Sequence, residues 1–129
     1  MTGNFPRLGW LRKLFGDAGE RAAVSYLKKK GYRIHGRQMR NLFGEIDIIA
    51  QDGECLVFVE VKTRSSDRAG APSAAVGLRK QRQISRTATA WLKKRNLLDH
   101  RARFDVISII WPSGGQPEIE HIQNAFEAP

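Results

Sequence analysis

The chain has 129 residues and a single cysteine, Cys55, which suits one domain with its own core and excludes an internal disulfide or a thiolate metal cluster. Its net charge of +9 is unevenly spread: residues 1–40 hold ten Lys or Arg against two acids, residues 78–103 nine against one, and residues 41–77 six acids against three bases. Basic flanks around an acidic centre point to a polyanion partner, with a plain solvated basic surface as the alternative.

No apolar run approaches the ~18 residues of a membrane span, so no membrane partner is expected. His35, His100 and His121 are scattered without ligand spacing. The lone cysteine fits a reducing, cytoplasmic location.

Residues 1–15, including FPRLGWLRKLFG, form a basic, loosely amphipathic arm. Residues 16–129 are expected to make one domain. GDAGERAAVSYLKKKGY predicts a helix, with Asp17 as its cap, Glu20 three residues later and Gly31 after a Lys-rich last turn. YRIHGRQMR predicts a first strand. GEIDIIAQDGECLVFVEVKTR (44–64) predicts a hairpin of two more strands about an Asp52-Gly53 turn.

The stretch Ser65–Ser73, rich in Ser, Asp, Gly, Ala and Pro, predicts a loop. A second helix is expected from about Ala74 to Asn96, with Val76, Ile84, Ala88, Trp91 and Leu92 on one stripe. RFDVISIIW predicts a fourth strand, stopped by Pro112 and a Ser113-Gly114-Gly115 turn, and PEIEHIQNAF a short edge strand. The order α-β-β-β-α-β-β is that of an α/β domain with a central mixed sheet flanked by helices.

The hairpin carries charges that a buried strand pair does not need. With Asp52 and Gly53 as turn residues, Glu45 falls opposite Glu60, and Asp47 lies diagonal to Glu60. Alternation then puts Glu45, Asp47, Glu60 and Lys62 on one face, with Ile46, Ile48, Val57, Val59 and Val61 on the core face. Two carboxylates ~5 Å apart at an effective dielectric of about 20 repel by roughly 3 kcal/mol. A bound cation such as Mg²⁺ held by Asp47 and Glu60, Lys62 itself, or a carboxyl that keeps its proton must offset that repulsion. The second alternative is an ordinary salt-bridge cluster.

Glu20 precedes Ala23, Val24 and Leu27 by three, four and seven residues, so it rides the buried stripe of the first helix as well as suiting a capping box. Lys80 and Gln83 lie near the apolar line of the second helix. Lys80 is either a snorkelling residue or a cation aimed at the carboxylates and a phosphate.

An acid on one strand followed by E-x-K on the next, here Asp47, Glu60 and Lys62, resembles the PD-(D/E)xK signature of restriction-endonuclease-like nucleases, although Ile46 stands where that signature has proline. EVKTR is similar to the corresponding strand of archaeal Holliday-junction resolvases, whose first helix adds an acid matched here by Glu20. Across nearly the whole chain from Gly16, the segments Gly19-Glu20, GEIDIIA, VFVEVKTR, Lys80, RFDVI and HIQNAF resemble the YraN-like bacterial family.

The resemblance implies a restriction-endonuclease-like fold and nucleic-acid binding, DNA ahead of RNA, and it leaves a homodimer open. As an enzyme, the chain would hold Mg²⁺ or Mn²⁺ on Asp47, Glu60 and Glu20, with Lys62 as the further catalytic residue. Arg64, Lys80, Gln83 and Arg40 would contact nucleic acid. A catalytically inactive binding module of the same fold is the alternative. Asp105, in RFDVI, is expected to make a structural salt bridge.

Overall fold

A computed structural model describes residues 4–65, 76–112 and 115–129, with no side-chain description for residues 4–10 and 12. The elements run α1 (Asn4–Lys29), β1 (Arg33–Asn41), β2 (Gly44–Asp52), β3 (Cys55–Ser65), α2 (Leu78–Lys94), β4 (Ala102–Trp111) and β5 (Glu118–Phe126). This is the expected order. The five strands form one sheet in sequence order, antiparallel except for the parallel β3–β4 pair that α2 bridges. A parallel neighbour demands such a crossover, and a helix is its usual form. The architecture is compatible with a restriction-endonuclease-like fold.

α1 starts earlier than its predicted cap, so Asp17 lies inside the helix, pairing with Lys13 at 3.6 Å and accepting from Gln38 at 3.3 Å. The thirteen helical residues before Asp17 include Pro6, which a first turn tolerates, and Gly9 and Gly16, which weaken a helix without ending it. The C-terminus ends as expected: Gly31 takes φ +94°, and the Tyr32 amide donates to the Leu27 carbonyl at 3.0 Å. The predicted loop falls, beyond Ser65, outside the described residues, as do Ala74 and residues 113–114 of the predicted turn.

The sheet has a core on each face, where the hairpin reading expected one. Ala23, Val24 and Leu27 of α1 cover Ile48, Ala50, Val57, Val59, Ile107 and Ile109. Ile84, Ala88 and Leu92 of α2 cover Ile46, Ile49, Leu56, Phe58 and Val106. The continuous apolar runs of β3 and β4 suit strands buried on both sides. α2 is shorter than expected, and Thr87 joins its buried stripe because its hydroxyl is satisfied by the Gln83 carbonyl at 2.8 Å.

Candidate active site

Two departures from the simple hairpin create the site. Asp52 pairs with Cys55, so Gly53 (φ +59°) and Glu54 make the turn and every cross-strand partner moves by two residues. The shift keeps each residue's parity but removes the predicted Glu45–Glu60 facing pair. The β2–β3 ladder also stops at Ile48 and Val59. Beyond it, the Val61 amide donates to the Asp47 carboxylate at 2.8 Å, so a side chain occupies the place of a backbone acceptor.

Alternation breaks at the same point. Ile48 joins the α1-side core and Ile46 the α2-side core, although an unbroken strand would put both on one face. Gln38 on the neighbouring β1 takes φ +50° beside this point. Glu45 and Asp47 therefore line a recess of about 410 Å³ on the α1 side, with Asp17, Glu20, Gln38, Arg40 and Thr63. Glu60, paired with the buried Val106, faces the α2 side. The predicted single charged face is thus corrected: Asp47 and Glu60 approach from opposite sides and meet through the fork between the strands.

There the Glu60 carboxyl comes within reach of the Asp47 charge. Burial first, and then the Asp47 charge, push the Glu60 pKa up to about 7. Burial also raises that of Asp47, opposed by the Val61 amide and reinforced by the Glu20 charge. The Lys80 ammonium, from the first turn of α2, lies 3.7 Å from Glu60 and offsets part of the repulsion. Of the two sequence-level readings of Lys80, it is the cation aimed at the carboxylates. Lys62, two residues beyond Glu60, has its pKa lowered by burial and by the adjacent Arg64, against the pull of Glu60.

Glu20 is buried on α1 as its spacing implies, and it accepts from Arg37 at 3.0 Å and Gln38 at 3.4 Å. Arg40 pairs with Glu45 at 2.8 Å across β1 and β2. Gln83 lies against Gly44 on the α2 side. Arg37 and Gln38 were not singled out from the sequence; a basic and an amide residue on an edge strand carry no local signal of a partner seventeen or eighteen residues away.

Asp105 is fully buried and makes the expected structural bridge, to Arg103 at 2.9 Å and His121 at 2.8 Å. The Asn124 amide adds a third donor, and these bonds outweigh burial to hold its pKa low.

Among the described residues, no three His, Cys, Asp or Glu side chains converge on one point. Any metal ion held here would have at most the Asp47–Glu60 pair as its direct protein ligands. That donor set suits a hard divalent ion, which takes one or two carboxylates and completes its shell with water and phosphate. Binding such an ion would relieve the repulsion that helps raise the pKa of both partly buried carboxyls. No helix among the described residues is long and apolar enough to cross a membrane.

Residues 19–109 match the model of the uncharacterised protein family UPF0102. The chain is 50% identical over 123 residues to a UPF0102 protein of Trichlorobacter lovleyi, covering 95% of this chain and 97% of the relative. It is 56% identical over 115 residues to one of Geobacter metallireducens, covering 89% and 93%. A more distant relative, from Clostridium acetobutylicum, is 44% identical over 118 residues, covering 91% and 97%.

Proposed function

We propose that this chain, which belongs to the uncharacterised protein family UPF0102, is a metal-dependent nuclease that hydrolyses phosphodiester bonds in structured or branched nucleic acid, DNA ahead of RNA. The observation that carries the reading is the meeting of Asp47 and Glu60 in a fork where the strand ladder stops, beside Lys62 and Lys80. Two partly buried carboxyls, both with raised pKa values, are more than a salt bridge needs, and the repulsion there would favour a divalent ion between them.

Asp47 and Glu60 would hold Mg²⁺ or Mn²⁺, and Glu20, engaged by Arg37 and Gln38, would act through water. Bound there, the ion supplies an acidified water and neutralises charge on the phosphate. Lys62 would orient the attacking water and, as an ammonium, face the developing negative charge. Arg64, Lys80, Gln83 and Arg40 hold the backbone, which makes binding salt-sensitive. We place this activity in the cytoplasm on the strength of the lone Cys55.

The second reading, a binding module without catalysis, draws on the pairing of Arg37 with Glu20, Arg40 with Glu45 and Lys80 with Glu60, which leaves each of these carboxylates a cation. A cleavage screen with Mn²⁺ on single-stranded, duplex, flap and four-way substrates separates the two. Under the nuclease reading, at least one substrate is cut, and Asp47→Ala and Lys62→Ala abolish cutting while largely retaining binding. Equal cutting by Lys62→Ala would assign the activity to a contaminant, and binding without cutting under any divalent ion would favour the module.

A further inference from the structure

The β1–β2 hairpin tip is built against the usual rules. Asn41 pairs with Gly44, so the two turn residues are Leu42 and Phe43, where such turns favour Asn, Asp or Gly. Leu42 is 98% exposed and Phe43 49%. Nor is the tip a loose end. The Asn41 side chain donates to the Thr87 carbonyl of α2 at 3.1 Å and accepts from the Phe43 amide at 2.9 Å. At Gly44 even a Cβ would crowd Gln83, so the turn lies directly on the helix.

The helix beneath is a polyanion surface. α2 has six basic residues and no acid. Arg79, Arg82 and Arg86 fall at i, i+3 and i+7, are exposed, and form no ion pair with the described carboxylates. With Leu42, Phe43 and Lys80 they line a groove of about 760 Å³. Lys80 belongs to both places, since its ammonium lies 3.7 Å from Glu60. The groove therefore leads from the apolar tip to the carboxylate fork.

We propose that this groove binds an unpaired stretch of nucleic acid, with the Arg79–Arg82–Arg86 row on the phosphates and the Leu42–Phe43 tip stacked against an unstacked base. A paired duplex has its base faces covered and offers the tip only phosphates and groove edges. An unpaired nucleotide offers a π-face that an aromatic ring receives irrespective of sequence. A lipid surface is the poorer match: the apolar residues form one wall of a trough that ends at a metal-suited site, not a flat face ringed by cations. The inference rests on the nucleic-acid part of the proposed function and names the substrate class for it.

Binding of labelled single strand, blunt duplex and a duplex with a short gap is measured in EDTA, where no cutting occurs, beside phosphatidylserine vesicles. The unmodified chain is expected to bind the gapped duplex and single strand roughly tenfold tighter than blunt duplex. The double variant Leu42→Ser/Phe43→Ser is expected to lose that preference while keeping duplex affinity and thermal stability, and Phe43→Trp to restore it with Leu42 in place. A 2-aminopurine in the gap should be quenched by the unmodified chain and not by the double variant. Equal affinity for gapped and blunt duplex, an unchanged preference in the double variant, or vesicle binding without nucleic-acid binding would each overturn the inference. Absence of cleavage with this preference intact would overturn only the nuclease reading.

Discussion

Glu60 carries a cost that its neighbours only partly relieve. Its carboxyl is largely buried, faces the Asp47 charge, and has the Lys80 ammonium at 3.7 Å. A pKa of about 7 in the folded chain stands against about 4.3 for a solvated glutamate, so between those values the folded state binds more protons than the unfolded state. Stability in the absence of metal is therefore expected to fall as pH rises from about 5 to 8, by on the order of 2 kcal/mol. Asp105 has the opposite sign: its depressed pKa contributes stability above the usual aspartate value and loses it only in strong acid, outside that window. Denaturant unfolding across pH 5–8 measures the effect. Glu60→Gln should flatten the profile and raise stability at pH 8; a parallel decline in the variant would place the titrating group elsewhere.

At the scale of elements, α1 and β3 approach so closely at Gly19 that any Cβ there would run into the Thr63 hydroxyl. This approach places Glu20, the next residue, over the fork. Gly19→Ala is expected to cost about 1–3 kcal/mol by overpacking, and Thr63→Ala in the same chain to recover part of it. Chemical denaturation of the two single variants and the double variant checks this; additive losses would show that the two sites do not touch.

The same elements show what was legible in the sequence. The order of elements, both helices and the buried stripe carrying Glu20 follow from apolar spacing, and Glu60 and Lys62 share a side because parity alone decides it. The turn did not follow: Asp52-Gly53 is the stronger local signal, yet Asp52 is drawn into the ladder opposite Cys55, with its carboxylate on Arg103 at 3.1 Å. The fork was hidden for a related reason. Its cause is a long-range contact, the Asp47 carboxylate on the Val61 amide, and alternation read along one strand cannot register a break imposed by another. Asp47 and Glu60 were thus named correctly as neighbours from a register that the structure does not have.

For the whole molecule, the charge map and the topology converge. The basic segments 1–40 and 78–103 become α1 with β1 and α2 with the start of β4, lying on either side of the acidic β2–β3 pair. A sheet covered on both faces leaves the fork approachable from the ends of its strands, between the two helices. Under the proposed function, such a field would gather a polyanion and its centre would take a small cation. Titration of the metal-free protein with Mn²⁺ by calorimetry in two buffers of different ionisation enthalpy tests this most directly. One ion per chain should bind at pH 7 with release of a proton, and Asp47→Asn should abolish both binding and proton release. Equal Mn²⁺ binding by Asp47→Asn, or no saturable binding by the unmodified chain at millimolar Mn²⁺, would contradict a metal centre at the fork.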